Sequence, residues 1–319
     1  MDDYIVLRPF GNWPSDRSIS LPTGVVIGTL PADVALDLDI WSDFFSGRQL
    51  RSLHKTQSWF YYRFQDEPST ESKTRDKALG IISGAVLSFL VASPVELNST
   101  EHDEVLILCE TRGNGFAPAM VRPTYAYLST RWARIVRYDG LLRNDLIAIV
   151  NGVAESFDRS SVRLVNPVLL LEHGLQARNP YIRLLLWVAG LDSLLMAGSS
   201  AKFVRRLSDF LGKDTFVFPA SYVLGQPGYR VEEIAADLYD LRSQVAHGNE
   251  IPKKYRIAVG FKDESRKLIP DLGPNTQYRE VLEECAVFLL CRALRKVFTD
   301  KLVEKVGTKT EWRRQLNHS

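Results

Sequence analysis

The chain contains 319 residues, of which 45% are hydrophobic and 24% are charged. This composition is typical of a globular protein with a substantial core, and it excludes a wholly disordered chain. Lysine and arginine number 40 against 38 aspartate and glutamate, so the net charge of +2 excludes a strong overall attraction to nucleic acid or membranes, and any basic surface must be local.

The N-terminal half is predicted to mix strands and helices. Short segments rich in β-branched or aromatic residues and bounded by turn residues predict strands over residues 4–8, 24–28, 58–65 and 104–109. Between the last two strands, apolar residues recur at helical spacing from Ala78 to Leu90. Thr74 is the predicted N-cap of this helix, and Pro94 lies beyond its end.

From about residue 140 the pattern becomes helical. Two Asn-Pro pairs, at Asn166 and Asn179, predict helix starts because Asn caps a helix well and Pro fits its first position. The second pair opens a helix over residues 181–197 that is apolar nearly all round, which favours a place at the centre of a bundle. The remaining predicted features are a stripe from Leu142 to Phe157, a helix capped by Ser200 and ending at Gly212, a helix over Val231–Ala246, a basic connection over 248–274, and a long final helix capped by Asn275 or Thr276.

These patterns predict an α+β protein with two domains. A small mixed α/β domain of unknown role occupies residues 1–158, and an all-α bundle occupies residues 159–305. The polar stretch at 158–161 marks the boundary, and residues 306–319 are predicted to form a polar C-terminal tail.

The sequence favours a soluble cytoplasmic protein. The cysteines, Cys109, Cys285 and Cys291, are too few for a disulfide scaffold and indicate a reducing compartment. The start of the chain is acidic where a signal peptide would be basic, and no apolar stretch reaches the roughly 20 residues of a membrane span.

Most motifs that carry chemistry are absent from the sequence. There is no phosphate-binding glycine loop and no HExxH, and none of the five histidines has a second ligand at metal spacing. A weak nuclease-like pattern places Glu110 and Arg112 after Asp103 and Glu104, but an arginine stands where the catalytic lysine belongs. We therefore predict neither a cofactor nor a metal.

The most informative segment is the helix that ends at His247. Its apolar stripe comprises Val231, Ile234, Ala235, Leu238, Leu241 and Val245. At about 100° per residue, Arg242 falls near the centre of this stripe, where a guanidinium is costly unless it is paired or lines a cleft. His247 lies about 140° away from Arg242 on a regular helix, so the two side chains could converge only if the helix unwinds or two chains meet.

An arginine and a histidine separated by four residues at the end of a bundle helix resemble the signature of HEPN domains. The string RSQVAHG follows the apolar segment LLLWVAGLDSLL and the amphipathic segment KFVRRLSDFLG, and this order is most similar to the Apea-like branch. The resemblance covers about residues 160–300 and leaves the N-terminal half uncovered.

The resemblance implies a helical bundle that dimerises and brings the Arg–His pairs of two chains into one cleft. In catalytic members this cleft is a metal-independent endoribonuclease, of the kind found in toxins and phage defence. His247 would then act as general base or acid at the ribose 2′-hydroxyl, and Arg242 would hold the scissile phosphate. Active members commonly carry Asn, Asp or His directly after the arginine, whereas this chain has Ser243, which can also form hydrogen bonds.

Two further expectations concern partners. Lys253, Lys254, Tyr255 and Arg256 follow the motif and form a candidate RNA-binding segment, since basic groups bind phosphates and aromatic rings stack on bases. We expect a homodimer through the face that carries Arg242, because the dimer interface would place this guanidinium in a cleft between two chains. The alternative is an ion pair with a residue of the same chain, such as Asp192.

The alternative function is a non-catalytic HEPN-like module that dimerises or binds RNA. In that case Arg242 and His247 only brace the end of their helix, and the N-terminal domain acts as a sensor. A third hypothesis is an effector that needs a partner for activation.

Overall fold

The architecture was analysed in a computed structural model. The structure describes residues 2–10, 18–34, 38–67, 73–92, 105–112, 115–123, 143–158, 162–217, 229–256, 261–262, 268–269 and 278–318. The chain divides into two compact units, the first made mostly of residues before Gly152 and the second mostly of residues from Gly152 onward. The predicted mixture of strands and helices is confirmed, since the first unit contains a sheet and the second is largely helical.

The first unit is built on an antiparallel sheet of six strands among the described residues, in the order β2-β3-β4-β1-β5-β6. The strands are β1 (Asp2–Phe10), β2 (Ile19–Ser20), β3 (Val26–Gly28), β4 (Ser58–Asp66), β5 (Val105–Arg112) and β6 (Gly115–Pro123). The four strands predicted from sequence correspond to β1, β3, β4 and β5, and the sequence analysis missed β2 and β6.

Helices cover both faces of this sheet. They are α1 (Leu38–Trp41), α2 (Gly47–Leu53) and α3 (Lys73–Ala92). Helix α3 packs on one face, where the Phe89 ring meets the Phe60 ring edge-on at 5.8 Å. On the other face, Trp41 and Leu50 join Ile5 in the core. Thr74 lies inside α3 and is not its N-cap, because the helix already includes Lys73.

The second unit contains the helices and the hairpin that follow residue 151, and α4 is divided between the two units. Its helices are the end of α4 (Arg143–Asp158), α5 (Val162–Gln176), α6 (Pro180–Leu195), α7 (Ser200–Leu211), α8 (Val231–Ala246), α9 (Lys253–Arg256), α10 (Tyr278–Thr299), α11 (Val303–Gly307) and α12 (Lys309–His318). A short hairpin pairs β7 (Phe261–Lys262) with β8 (Leu268–Ile269). The predicted caps of the final helix, Asn275 and Thr276, lie outside the described residues, as does Leu142.

Helix α6 lies at the centre of the second unit, as its all-round apolarity predicts. It packs against α5, α7, α8 and α10. Trp187, Leu191 and Leu195 are fully buried. The predicted start is also confirmed, because the Asn179 side chain accepts a hydrogen bond of 2.9 Å from the Tyr181 N–H.

Two predictions about helix starts are wrong. Helix α5 begins at Val162, so Pro167 lies inside the helix and does not open it. Pro167 removes one backbone hydrogen bond, but it lies near the helix start and is itself buried, and packing of the helix outweighs that loss. In α7, Ser199 and not Ser200 is the N-cap residue, while Gly212 ends the helix as predicted.

The stretch predicted as a polar C-terminal tail, residues 306–319, contains the end of α11 and the whole of α12. Trp312 and Leu316 lie one turn apart on α12, and both are buried. The Trp312 indole N–H donates a hydrogen bond of 2.6 Å to the Leu194 carbonyl at the end of α6. The segment is therefore an amphipathic helix, whose polar residues face solvent while its few apolar residues pack on the second unit.

No described helix is long and apolar enough to cross a membrane by itself. Helices α6 and α7 reach the length and apolar composition of a membrane span only when they are taken together, and the chain bends by 76° at the break between them.

The close approach of α5 and α6 generates a stability prediction. The Trp187 indole lies directly over Gly174, and a Cβ added there would overlap the ring. Gly174→Ala should therefore lower the free energy of unfolding by about 1–3 kcal/mol, the range for overpacked cores. Chemical denaturation of the purified protein measures this change.

Gly80 in α3 is the matched control, because a Cβ at Gly80 would have no atom within 4 Å. Gly80→Ala should stabilise the protein by about 0.5–1 kcal/mol, since alanine loses less conformational entropy in a helix. Equal effects of the two substitutions would contradict the proposed close contact at Gly174.

Candidate active site at the end of helix α8

Arg242 lies on the face of α8 that packs against the core, as the helical phase predicts. Its neighbours Leu238 and Leu241 are fully buried, while 26% of the Arg242 side chain remains exposed. The guanidinium stands 5.4 Å from the centre of the Tyr239 ring. Its Nη2 atom is 3.7 Å from Asp192 Oδ2 on α6, which is an ion pair too long for a hydrogen bond.

Asp192 connects this arginine to the end of α6. Its Oδ1 atom accepts a hydrogen bond of 2.9 Å from the Gly198 N–H, in the turn that leads to α7. Gly198 has a φ of 66°, a left-handed conformation that suits glycine. Asp192 thus gives Arg242 an internal partner, so the position of Arg242 does not by itself require a second chain.

The Arg242 guanidinium is only partly satisfied by these contacts. Its Nε atom is buried and has no hydrogen-bond partner among the described residues. The single ion pair to Asp192 leaves N–H groups of the guanidinium without a bond to any described residue. This arginine can therefore take a further anionic partner.

His247 follows α8 directly. Its backbone N–H donates to the Ser243 carbonyl at 3.1 Å, and the Asn249 N–H donates to the Gln244 carbonyl at 3.0 Å. The helix is therefore regular up to His247, which places its side chain about 140° around the axis from Arg242. The imidazole is exposed and has no hydrogen bond to any described residue, and Ser243 is half-buried on the same last turn.

The predicted RNA-binding segment is largely engaged in internal contacts. Lys254 Nζ lies 2.9 Å from Asp237 Oδ1 and 3.1 Å from Asp240 Oδ2. Tyr255 is fully buried, and its hydroxyl donates to Asp240 Oδ2 at 2.5 Å. Tyr255 is thus a core residue with no face free to stack on a base.

The two ends of this segment differ. Arg256 Nη2 pairs with a Glu250 carboxylate oxygen at 2.7 Å and also donates to the Ile251 carbonyl. Lys253 is exposed and contacts no described residue through its side chain. Of the four predicted RNA-binding residues, only Lys253 is free within the described part of the chain.

The sequence analysis missed the carboxylates that hold this segment. Tyr278 on α10 donates to Asp237 Oδ2 at 2.9 Å, and its ring stacks on Tyr255 at 6.1 Å. Burial raises the pKa of both tyrosines, so both phenols remain hydrogen-bond donors. The available signal was the spacing of Asp237 and Asp240, which lie three residues apart and so share one side of α8.

The cysteines and the weak nuclease-like pattern add no reactive group to the described part of the chain. Burial raises the pKa of the three cysteine thiols, so none is a nucleophile at neutral pH. No group of three metal-ligating side chains occurs among the described residues, and Asp103 and Glu104 of the weak nuclease-like pattern lie outside them.

A second concave site lies in the first unit. A cavity of about 500 Å³, a volume that suits a small ligand, is lined among others by Asp33, Arg63, Gln65 and Phe116. Arg63 donates two hydrogen bonds to Asp33, at 2.6 and 2.8 Å, and stands over the Phe116 ring. The hydrogen bonds from Arg63 lower the pKa of Asp33, so this pair is ionised and self-neutralising at neutral pH.

Comparisons of this chain with protein-family models, with curated proteins and with solved structures find no match.

The carboxylate contacts of α9 predict a pH dependence. The hydrogen bond from Tyr255 is the largest cause that lowers the pKa of Asp240. A lowered folded-state pKa stabilises the fold above the unfolded-state pKa of about 4, and that stabilisation is lost as pH falls through the folded value. The difference in unfolding free energy between wild type and Asp240→Asn should therefore be largest near pH 6 and shrink below about pH 4.

Denaturant unfolding at a series of pH values measures this difference. The control is Asp209→Asn on α7, because the exposed Asp209 side chain contacts no described residue. At pH 6 this control should change the unfolding free energy by no more than about 0.5 kcal/mol. A difference for Asp240→Asn that stays constant down to pH 2 would show that the Asp240 charge does not stabilise the fold.

Proposed function

We propose that this chain is a metal-independent endoribonuclease of the HEPN-like type, an effector of toxin or phage defence that acts in the cytoplasm. The observation that carries the proposal is the state of Arg242. Its guanidinium is held at a half-buried position by a carboxylate 3.7 Å away, and 26% of the side chain still faces solvent. A guanidinium that is fixed in place yet not saturated is suited to bind a phosphate.

His247 supplies the complementary chemistry. Its imidazole is exposed and is not engaged by any described residue, and an imidazole can both accept and donate a proton. In the proposed step, His247 accepts the proton of a ribose 2′-hydroxyl as the 2′-oxygen forms a bond to the adjacent phosphorus. The bond from phosphorus to the 5′-oxygen breaks, and the 5′-oxygen takes up a proton from water. The products are a 2′,3′-cyclic phosphate and a free 5′-hydroxyl.

Arg242 stabilises the negative charge that develops on the phosphate oxygens, because its planar fork fits two of them. Ser243 lies on the same helical turn and donates a further hydrogen bond to the substrate. The requirement for a 2′-hydroxyl restricts the reaction to RNA.

The regular end of α8 supports a site to which two chains contribute. Because Arg242 and His247 diverge by about 140° on one helix, a homodimer that juxtaposes two α8 ends is needed to bring an arginine of one chain to a histidine of the other. Such a dimer would have twice the 36.1 kDa mass of the chain.

A non-catalytic module is the second candidate, and one observation favours it. The Asp192 contact accounts for Arg242 without any substrate, so both motif residues could serve only to brace the end of α8. The cavity beside Arg63 would then make the first unit a sensor of a small ligand.

Cleavage assays separate these two candidates. His247→Ala and Arg242→Ala should each lower the cleavage rate of single-stranded RNA by roughly 10²–10⁴, the usual effect of losing a general acid–base or an electrostatic contact. An RNA with 2′-deoxyribose at the cleaved position should resist wild type, and the products should end in cyclic or 3′-phosphates. Product analysis by mass spectrometry and rates from gel assays provide the measurements.

The controls use the exposed imidazole of His54, in the first unit, and thermal melting. His54→Ala should cleave like wild type, and His247→Ala should melt within a few degrees of it, because an exposed imidazole adds little to stability. Equal cleavage by wild type and His247→Ala would assign the activity to contamination. A large drop in melting temperature without any cleavage by wild type would favour the bracing role.

Mixed dimers test the origin of the two groups. Arg242→Ala and His247→Ala, each inactive alone, should regain roughly a quarter of the wild-type rate when co-expressed, since half of the dimers are mixed and each holds one complete pair. Differently tagged copies allow the mixed dimer to be purified and assayed. A mixed dimer as inactive as its parents would exclude a site shared between chains.

A further inference from the structure

Helices α7 and α12 lie side by side in the second unit. Arg206 Nη2 on α7 donates to Asn317 Oδ1 on α12 at 3.2 Å, and the Phe210 ring meets the Trp312 ring at 5.6 Å. The residue numbers of these contacts rise along α7, from Arg206 to Phe210, and fall along α12, from Asn317 to Trp312. The two helices therefore run antiparallel. Arg313, one turn before Asn317, therefore lies on the side of α12 that borders α7.

Arg206 has a structural role. It is 6% exposed, and its Nη1 atom donates to the carbonyls of Leu195 and Met196 at 3.0 and 2.7 Å. These bonds give a donor to backbone carbonyls at the C-terminal end of α6, which lack partners within the helix. The pKa of Arg206 is lowered by burial and then by the charges of Arg205 and Arg313, so three guanidiniums share one region.

The exposed cations of this region are not bonded to any described residue. Lys202, Arg205 and Arg313 are exposed, and no described residue bonds to their side chains. Asp209 is an acid one turn from Arg205, yet it forms no ion pair with it among the described residues. Most other described arginines of the second unit do have a partner in the chain, among them Arg163, Arg183, Arg230, Arg256 and Arg292.

Like charges that oppose one another without compensation lower the stability of a fold. A feature that costs stability and supports no packing points to a partner outside the chain. Arginine on this surface favours phosphate oxygens, which its planar fork binds in pairs. Cations on two neighbouring helices suit a polymer that offers several phosphates in succession better than a single small anion.

The helix that carries these cations packs against the helix that carries the candidate active site. Phe203 of α7 is buried and contacts the Tyr239 ring of α8 at 5.2 Å, and the same ring lies beneath Arg242.

We propose that Lys202, Arg205 and Arg313 form a basic face that binds the phosphate backbone of single-stranded RNA and so retains it for the site at Arg242. This role rests on the proposed ribonuclease function, because the RNA it holds is the substrate of that site. The basic face takes the place of the segment from Lys253 to Arg256, whose charges are mostly neutralised within the chain.

The test measures binding without cleavage. The probe is a fluorescent single-stranded RNA of mixed sequence with 2′-O-methyl groups, which cannot react at the 2′-oxygen. The double variant Arg205→Gln/Arg313→Gln should bind it roughly tenfold more weakly at 0.1 M salt than wild type. The slope of log affinity against log salt should fall in magnitude by about 1.4, or 0.7 for each lost contact to a single strand.

The control is Arg178→Gln/Lys301→Gln, which removes the same charge from exposed residues elsewhere in the second unit. It should keep the wild-type affinity and slope. The basic-face variant should also melt no lower than wild type, because relief of the repulsion on Arg206 does not remove any contact. A lower melting temperature would instead assign Arg205 and Arg313 a structural role.

The remaining outcomes overturn the proposal. They are absence of RNA binding by wild type, equal weakening in both double variants, or normal RNA binding by the basic-face variant together with lost binding to vesicles that contain phosphatidylserine. The last result would assign the face to membranes. Because the probe cannot be cleaved, loss of binding in this assay is separate from failure of the His247 and Arg242 cleavage experiments.

Discussion

The C-terminal end of α6 is the constraint on which the second unit depends. A buried helix ends in carbonyls that have lost their intrahelical partners, and each must find a donor. Here Trp312 of α12 bonds to Leu194, and Arg206 of α7 bonds to Leu195 and Met196. The docking of α7 and α12 therefore follows from the need to satisfy the most apolar helix of the chain.

The candidate site grows from the same turn. Asp192 lies in the last turn of α6, and each of its two carboxylate oxygens has a different partner. One fixes the Gly198 N–H in the connection to α7, and the other faces Arg242 on α8. The geometry that closes the core thus also sets where the guanidinium points, which links the stability of the bundle to the proposed chemistry.

Local signals in the sequence were sufficient for much of the fold. Periodicity fixed α8 at both ends, and the cap formed by Asn179 fixed the start of α6. Pro167 misled because tertiary burial can outweigh one lost backbone bond. Strand β6 was missed because it contains Pro118 and Pro123, yet it lies at the edge of the sheet, where proline is tolerated.

The site was only half accessible to sequence reasoning. The phase of α8 placed Arg242 at the core and suggested Asp192 as its partner, since both are properties of single helices. The burial of Tyr255 depends on how α9 meets α8 and α10, which no local pattern encodes. The charges that looked free in the sequence at Lys254 and Arg256 are paired in the structure, while those of Arg205 and Arg313 are not.

Arginine thus serves two opposite purposes in the second unit. Where it caps carbonyls, as Arg206 does, the guanidinium is buried and its donors are largely used. Arg242, with 26% of its side chain exposed, lies between Arg206 and the exposed, unpaired Arg205. Its 3.7 Å pair with Asp192 is too long for a hydrogen bond, so a phosphate that offers two short charge-assisted bonds competes with it at little cost. A half-buried guanidinium with unused donors is therefore an arrangement that a phosphate of the proposed substrate can complete.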